Sequence, residues 1–229
     1  SIPRGRRPLL VYNTGRTVAD TRSLVAARRL HEPDYIIGSI GTELHAACHD
    51  VVDDFRAQFG AAWDIERIDE IVGSIPDVRR QPSEFPHPFK SSWIWVRAWR
   101  DELDELERRL RGAGIRAHVD YSCRYFLDVV PAGAGKGRSL AWLCKRLNIP
   151  LGNVLVAGDT ASDTSMFLLP GVRGIVVENA LPELLAEVVR RQIFVARNSL
   201  ADGVVEGLEH FGVTAQPRTP AGRPFSPAF

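Results

Sequence analysis

The stretch Val154-Leu155-Val156-Ala157-Gly158-Asp159-Thr160-Ala161-Ser162-Asp163 decides the fold. Its first four residues are apolar, without polar alternation, and so read as a strand buried on both faces, the habit of parallel sheets. The glycine ends the strand. Two aspartates then flank a tight turn into a helical pattern over 163–169. In an open α/β sheet the ligand sits beyond the carboxyl ends of the strands, so both carboxylates fall where such a sheet does its chemistry.

Working outward, four more short apolar runs have the same character, at 9–12, 35–37, 174–177 and 193–196. Helical patterns over 17–30, 136–147, 181–191 and 202–211 lie between or after them. This alternation predicts an α/β fold, a doubly wound parallel sheet covered on both faces. The middle breaks the rhythm. From about 56 to 130 the pattern is helix (64–73), strand (78–81), strand (91–96), helix (101–112), strand (115–121), strand (125–130). That order predicts an α+β insert, a second domain placed inside the first, with Pro82, Pro86 and Pro88 punctuating one of its loops. The expected division is core 1–55, insert 56–130, core again 131–213, and a Pro- and Gly-rich flexible tail 214–229 without periodicity.

Composition narrows the class. The 229 residues carry 29 Lys and Arg against 28 Asp and Glu, a net charge of +1, which gives no reason to expect nucleic acid or an anionic membrane as partner. No apolar run approaches the ~20 residues that cross a bilayer. Cys48, Cys123 and Cys144 are scattered, with no CxxC, and read as reduced thiols of a cytoplasmic protein.

The residues after each predicted strand are small, polar or acidic: Asn13-Thr14-Gly15-Arg16, Gly38-Ser39-Ile40-Gly41-Thr42-Glu43, the Asp159–Asp163 turn, and Asn179. Asp159 and Asp163 offer hard oxygens to one point above the sheet, which suits Mg²⁺ completed by water and phosphate. The alternative is that Asp159 caps the next helix and Asp163 is a solvated first-turn acid. Thr14, with the backbone N–H groups of Gly15 and Arg16, is placed to cradle a phosphoryl oxygen, or else to cap helix 17–30. Lys136, in Gly133-Ala-Gly-Lys-Gly-Arg-Ser139, fails the Walker pattern, because Val130 and Gly137 stand where glycine and a hydroxyl residue are needed. It reads as a first-turn lysine that offsets phosphate charge, with an exposed surface lysine as the alternative. His45-Ala-Ala-Cys48-His49 at helical spacing lacks a fourth zinc ligand, and Trp93, Trp95 and Trp99 read as core before sugar platform.

In this order the loops resemble the haloacid dehalogenase (HAD) superfamily of phosphatases. Within it they are similar to the sucrose-phosphate phosphatase group, most of all to mannosylfructose-phosphate phosphatases. The stretches that carry the likeness are Pro33-Asp-Tyr-Ile-Ile-Gly38, Gly41-Thr-Glu-Leu-His45, Lys90-Ser-Ser-Trp93, Ala141-Trp-Leu-Cys144 and Asn179-Ala-Leu-Pro-Glu-Leu184, within about residues 8–211. The resemblance implies a sugar-phosphate phosphatase working through an aspartyl-phosphate, with Mg²⁺ on Asp159 and Asp163. Thr14 and Lys136 would neutralise the phosphoryl oxygens. It also implies a substrate set of Gly15, Arg16, Gly41, Thr42, Glu43, Lys90, Ser162 and Asn179, with the insert acting as a cap over the sugar.

Two departures matter. The family turn reads Gly-Asp-Ser/Thr-Gly-Asn-Asp, whereas Ala161 and Ser162 stand in its middle here. More importantly, no Asp-x-Asp occurs in the 229 residues, so the family's nucleophile strand is expected upstream of Ser1. The other reading is a phosphatase-like sugar-phosphate-binding domain without catalysis, associated with a glycosyltransferase-type synthase. The joint presence of Thr14, Lys136, Asp159 and Asp163 favours the enzyme.

Overall fold

The computed structural model of the chain describes residues 8–59, 63–82, 87–188 and 192–213. The expected flexible tail, 214–229, lies outside the described residues. The first half of the core contains β1 (Val11–Asn13), α1 (Val18–Ala26), β2 (Tyr35–Gly38), β3 (Glu43–Ala46) and α2 (His49–Ala57). β1 and β2 pair in parallel, with Asn13 beside Ile37, and β3 returns antiparallel along β2. The reversal runs through Ser39, Ile40 and Gly41, all at positive φ. Only Gly41 among them is free of the Cβ penalty there.

The insert contains α3 (Ile65–Gly73), β4 (Val78–Arg80), β5 (Ser91–Trp95), α4 (Arg100–Gly112), β6 (Ala117–Ser122) and β7 (Phe126–Pro131). Its strands form their own antiparallel sheet, in the order β4-β5-β7-β6. Directly opposed residues share a face. One face presents Trp93, Leu127 and Tyr121, which pack with Ile68, Val72 and Leu106 of the two helices into a separate apolar cluster. The other face presents Ser92, Asp128 and Asp120 side by side.

The second half of the core contains α5 (Lys136–Arg146), β8 (Leu155–Gly158), α6 (Thr164–Phe167), β9 (Arg173–Val176), α7 (Pro182–Val188), β10 (Ile193–Val195) and α8 (Leu200–His210). β8, β9 and β10 pair in parallel. Among the described residues, β1 edges one three-stranded core sheet and β8 edges the other. The helix α5 lies against both sheets. Leu143 of α5 packs with Ile37, Leu44 and Phe55, while Leu140 and Cys144 pack with Val156, Met166 and Val176. The Asn13 side chain at the end of β1 reaches Lys136 O at 2.9 Å and Met166 Sδ at 3.2 Å, so β1 is the edge turned toward the second sheet.

Several elements differ from the sequence reading. β3 and α2 fill residues 43–57, where no element was expected, and α2 runs through the boundary placed at 55/56. Helix 17–30 ends at Ala26, with Thr17, not Thr14, capping it through Asp20 N. Helix 163–169 is a 3₁₀ turn, Ala161–Asp163, followed by one α turn. His45 lies in β3 and Cys48 at the N-cap of α2, so the helical spacing that suggested zinc is not formed. Trp93 and Trp95 are core, whereas Trp99 is 70% exposed. No helix among the described residues is long and apolar enough to cross a membrane.

Candidate active site

The site is built where β1, β2 and β8 end. Gly135, at φ 110°, turns the chain into α5 so that Lys136 heads the helix. Lys136 Nζ donates to Asp163 Oδ1 at 2.7 Å, and both residues are buried. Asp163 Oδ2 accepts the N–H groups of Asp159 and Thr160, each at 3.1 Å, and the Thr160 hydroxyl at 3.2 Å. Neither the solvated acid nor the exposed lysine considered from sequence exists. Each is desolvated and satisfied by the other, as a buried charge must be. Burial, then the charge of Asp163, raises the Asp159 carboxyl above its ordinary range, against the pull of Lys136.

Thr14 joins this group through the backbone. Its carbonyl accepts Ile40 N at 3.2 Å, and Ile40 O accepts Gly135 N at 3.1 Å, next to Lys136. Arg16 N donates to Thr14 Oγ1 at 3.2 Å, so the hydroxyl's own proton is free to point elsewhere. Arg16 O accepts Ser39 N at 2.7 Å, which binds the turn after β1 to the turn after β2. Gly15 and the Arg16 side chain lie exposed at the rim. Gly41 permits the close packing behind them. A Cβ there would lie 2.5 Å from Ser139 Oγ and 2.8 Å from Gly135 backbone, and its carbonyl accepts the Ser139 hydroxyl.

The polar face of the insert sheet supplies the opposite wall. Asp128 accepts Ser92 Oγ at 2.5 Å and pairs with Lys90 at 3.5 Å. Its cross-strand neighbour Asp120 has a buried Oδ1 with no hydrogen-bond partner. Burial first, then Asp128, pushes the Asp120 carboxyl up to about 6; Lys136 and Lys90 oppose this and Asp163 adds to it. β6 packs against the Ala161–Asp163 turn, which places this face over the Asp159–Asp163 segment. A cavity of about 420 Å³ opens between β6 and that turn, lined by His118, Asp120, Ser162, Thr164 and Ser165 among others. Burial, followed by Arg138, lowers the His118 pKa.

The remaining candidates are dispersed. Ser162 bonds Thr160 Oγ1 at 2.9 Å and faces the cavity. Asn179 is exposed and spends its Oδ1 on Leu200 N, at the head of α8. Glu43 Oε2 accepts Val18 N at 2.5 Å, and Glu43 Oε1 meets His87 Nε2 at 2.9 Å. Thr42 Oγ1 lies 3.4 Å from the same nitrogen. Sequence reasoning missed Asp120, Asp128 and His87. An aspartate in mid-strand on the face opposite to tryptophans is the signal that could have found the first two.

Residues 2–212 match the family described as sucrose-6F-phosphate phosphohydrolase. The mannosylfructose-phosphate phosphatase of Agrobacterium fabrum is 40% identical over 215 residues, covering 93% of this chain and 87% of that protein. Sucrose-phosphatase 1 of Nicotiana tabacum is 31% identical over 223 residues, covering 92% of this chain but 52% of its own length, so the chain spans about half of that plant relative. The crystal structure of the sucrose-phosphatase from Synechocystis sp. PCC6803, in complex with sucrose and phosphate, superposes with a TM-score of 0.79 at 26% identity, covering 89% of this chain and 84% of that one.

Proposed function

The chain belongs to the sucrose-6F-phosphate phosphohydrolase family, and on that premise we propose that it hydrolyses the phosphate monoester of a disaccharide or other small sugar. The observation that carries this reading is the meeting of Lys136, Asp163, Asp159 and the Thr14 turn at the carboxyl ends of β1, β2 and β8. Lys136 Nζ gives one N–H to Asp163 and keeps two for phosphoryl oxygens. The Thr14 hydroxyl, oriented by Arg16 N, donates to a third oxygen. These donors are fixed before the substrate arrives, so they stabilise the charge that builds on phosphorus without reorganising.

The reading needs a nucleophilic carboxylate, and the family's Asp-x-Asp does not occur in residues 1–229. Its place would be between the β1 and β8 edges, under α5, where a strand would gain partners on both sides. A carboxylate there would attack phosphorus, the P–O bond to the sugar would break, and the sugar oxygen would take a proton. Water would then hydrolyse the acyl phosphate.

A divalent cation fits the donor set in part. The oxygens of Asp163 are engaged by Lys136 and by N–H groups, so the carboxylate a cation could use is that of Asp159, whose pKa burial and then the charge of Asp163 raise. Among the described residues no three His, Cys, Asp or Glu converge, so Mg²⁺ would rest on Asp159, with water and phosphoryl oxygens completing its shell. When bound it would supply charge neutralisation to the phosphoryl group.

Phosphate release from sucrose 6-phosphate and from mannosylfructose-phosphate, by a longer form of the chain that carries such a strand, tests the reading. Asp159→Asn should lower turnover at least about 100-fold with the near-ultraviolet dichroism unchanged. Unchanged turnover removes Asp159 from the mechanism. The absence of Asp-x-Asp keeps the second reading, a sugar-phosphate-binding domain serving a synthase. Tight binding without turnover by that longer form would select it.

A further inference from the structure

His87 lies in the loop between β4 and β5, in the insert, yet its ring is spent on the core. His87 Nδ1 accepts Phe89 N at 3.1 Å, so in the neutral ring the proton resides on Nε2. That N–H meets Glu43 Oε1 at 2.9 Å, with Thr42 Oγ1 at 3.4 Å beside it. Both side chains are largely shielded, at 15% and 25% exposure, where such a bond is stronger than in water. Burial alone would raise the Glu43 carboxyl, but the hydrogen bonds from His87 and Val18 N outweigh it and leave the pKa below its ordinary value. The other Glu43 oxygen holds Val18 N, the first N–H of α1, and Gly38 leaves room for that oxygen beside Arg16 O.

We infer that His87 is a positioning residue, a latch that fixes the insert against the core through Glu43 and so presents the insert's polar face to the sugar half of the substrate. The connection is short. Lys90, three residues on, bridges back to His87 and carries the ion pair to Asp128 on that face. The phosphate half, held by Thr14 and Lys136, belongs to the core and does not need the latch. The inference rests on the sugar-phosphatase reading for the ligand, but not for the latch itself.

Two measurements separate them. Titration calorimetry with inorganic phosphate and with sucrose 6-phosphate should show His87→Ala weakening the sugar phosphate roughly tenfold, the counterpart of one lost hydrogen bond to a charged group, with phosphate affinity within about twofold. His87→Gln, whose amide still donates to Glu43, should recover most of the loss. Amide exchange, which needs no ligand, should show faster exchange at Val18 and Phe89 in His87→Ala than in the parent chain. Equal loss for both ligands, or no recovery by glutamine, would show a merely structural histidine and overturn the inference. Failure of the parent chain to bind either ligand sinks the phosphatase reading, and Val18 exchange then decides the latch alone: acceleration keeps it, no change ends it.

Discussion

Lys136 and Asp163 are buried together as an ion pair. Lys136→Met should therefore cost about 3–5 kcal/mol, because Asp163 stays buried with neutral donors alone. Adding Asp163→Asn should return part of that, as read from urea midpoints. Asp120 behaves in the opposite sense. Its folded pKa, raised to about 6, means that folding favours the protonated carboxyl. The stabilisation is full in acid, below the ordinary carboxylate range, and is lost as pH rises through 6. Asp120→Asn should match the parent near pH 4 and exceed it by about 2 kcal/mol above pH 7. Parallel pH curves would place the proton elsewhere. Thr14, Lys136, Asp159 and Asp163 were legible because each sits in a short loop fixed by its own strand and helix. Asp120, Asp128 and His87 were not, because their surroundings depend on how one layer faces another across distant parts of the chain, which no local pattern records.

At the scale of elements, the parallel strands declared themselves by unbroken apolar runs, and β5 by the Trp93/Trp95 alternation. β3 and α2 did not. Glu43-Leu-His-Ala is four residues with polar side chains at alternate places, and α2 opens on Cys48, whose side chain caps nothing. Tertiary contacts formed both, through Leu44, Ala46, Val51 and Phe55 packing in one cluster. The turn joining β2 to β3 depends on Gly41, at φ 82° and against the start of α5. Gly41→Ala should destabilise by about 1–3 kcal/mol, since both the strained backbone and the clash with Gly135 must be relieved. A thermal midpoint unchanged within error would show that the turn relaxes freely.

On the scale of the whole molecule, three apolar clusters lie side by side, and α5 contributes side chains to two of them. Each sheet is local in sequence: one core sheet closes within residues 11–46, the other within 155–195, and the insert sheet within 78–131. Distant segments are joined at α5, at the turns around the site and at the His87–Glu43 pair. This has a consequence for the order of folding. Loop closure taxes distant contacts, so each sheet nucleates on its own stretch and the junction at α5 is made after the rate-limiting step. Leu143→Ala, costing about 2–5 kcal/mol, should then appear almost wholly as faster unfolding, at least about 30-fold, with refolding little changed. A matching slowdown in refolding would put α5 in the nucleus. If the junction forms last it also opens first, so the Lys136–Asp163 cluster is the earliest casualty of heating: ligand binding should disappear before the three sheets lose their secondary structure.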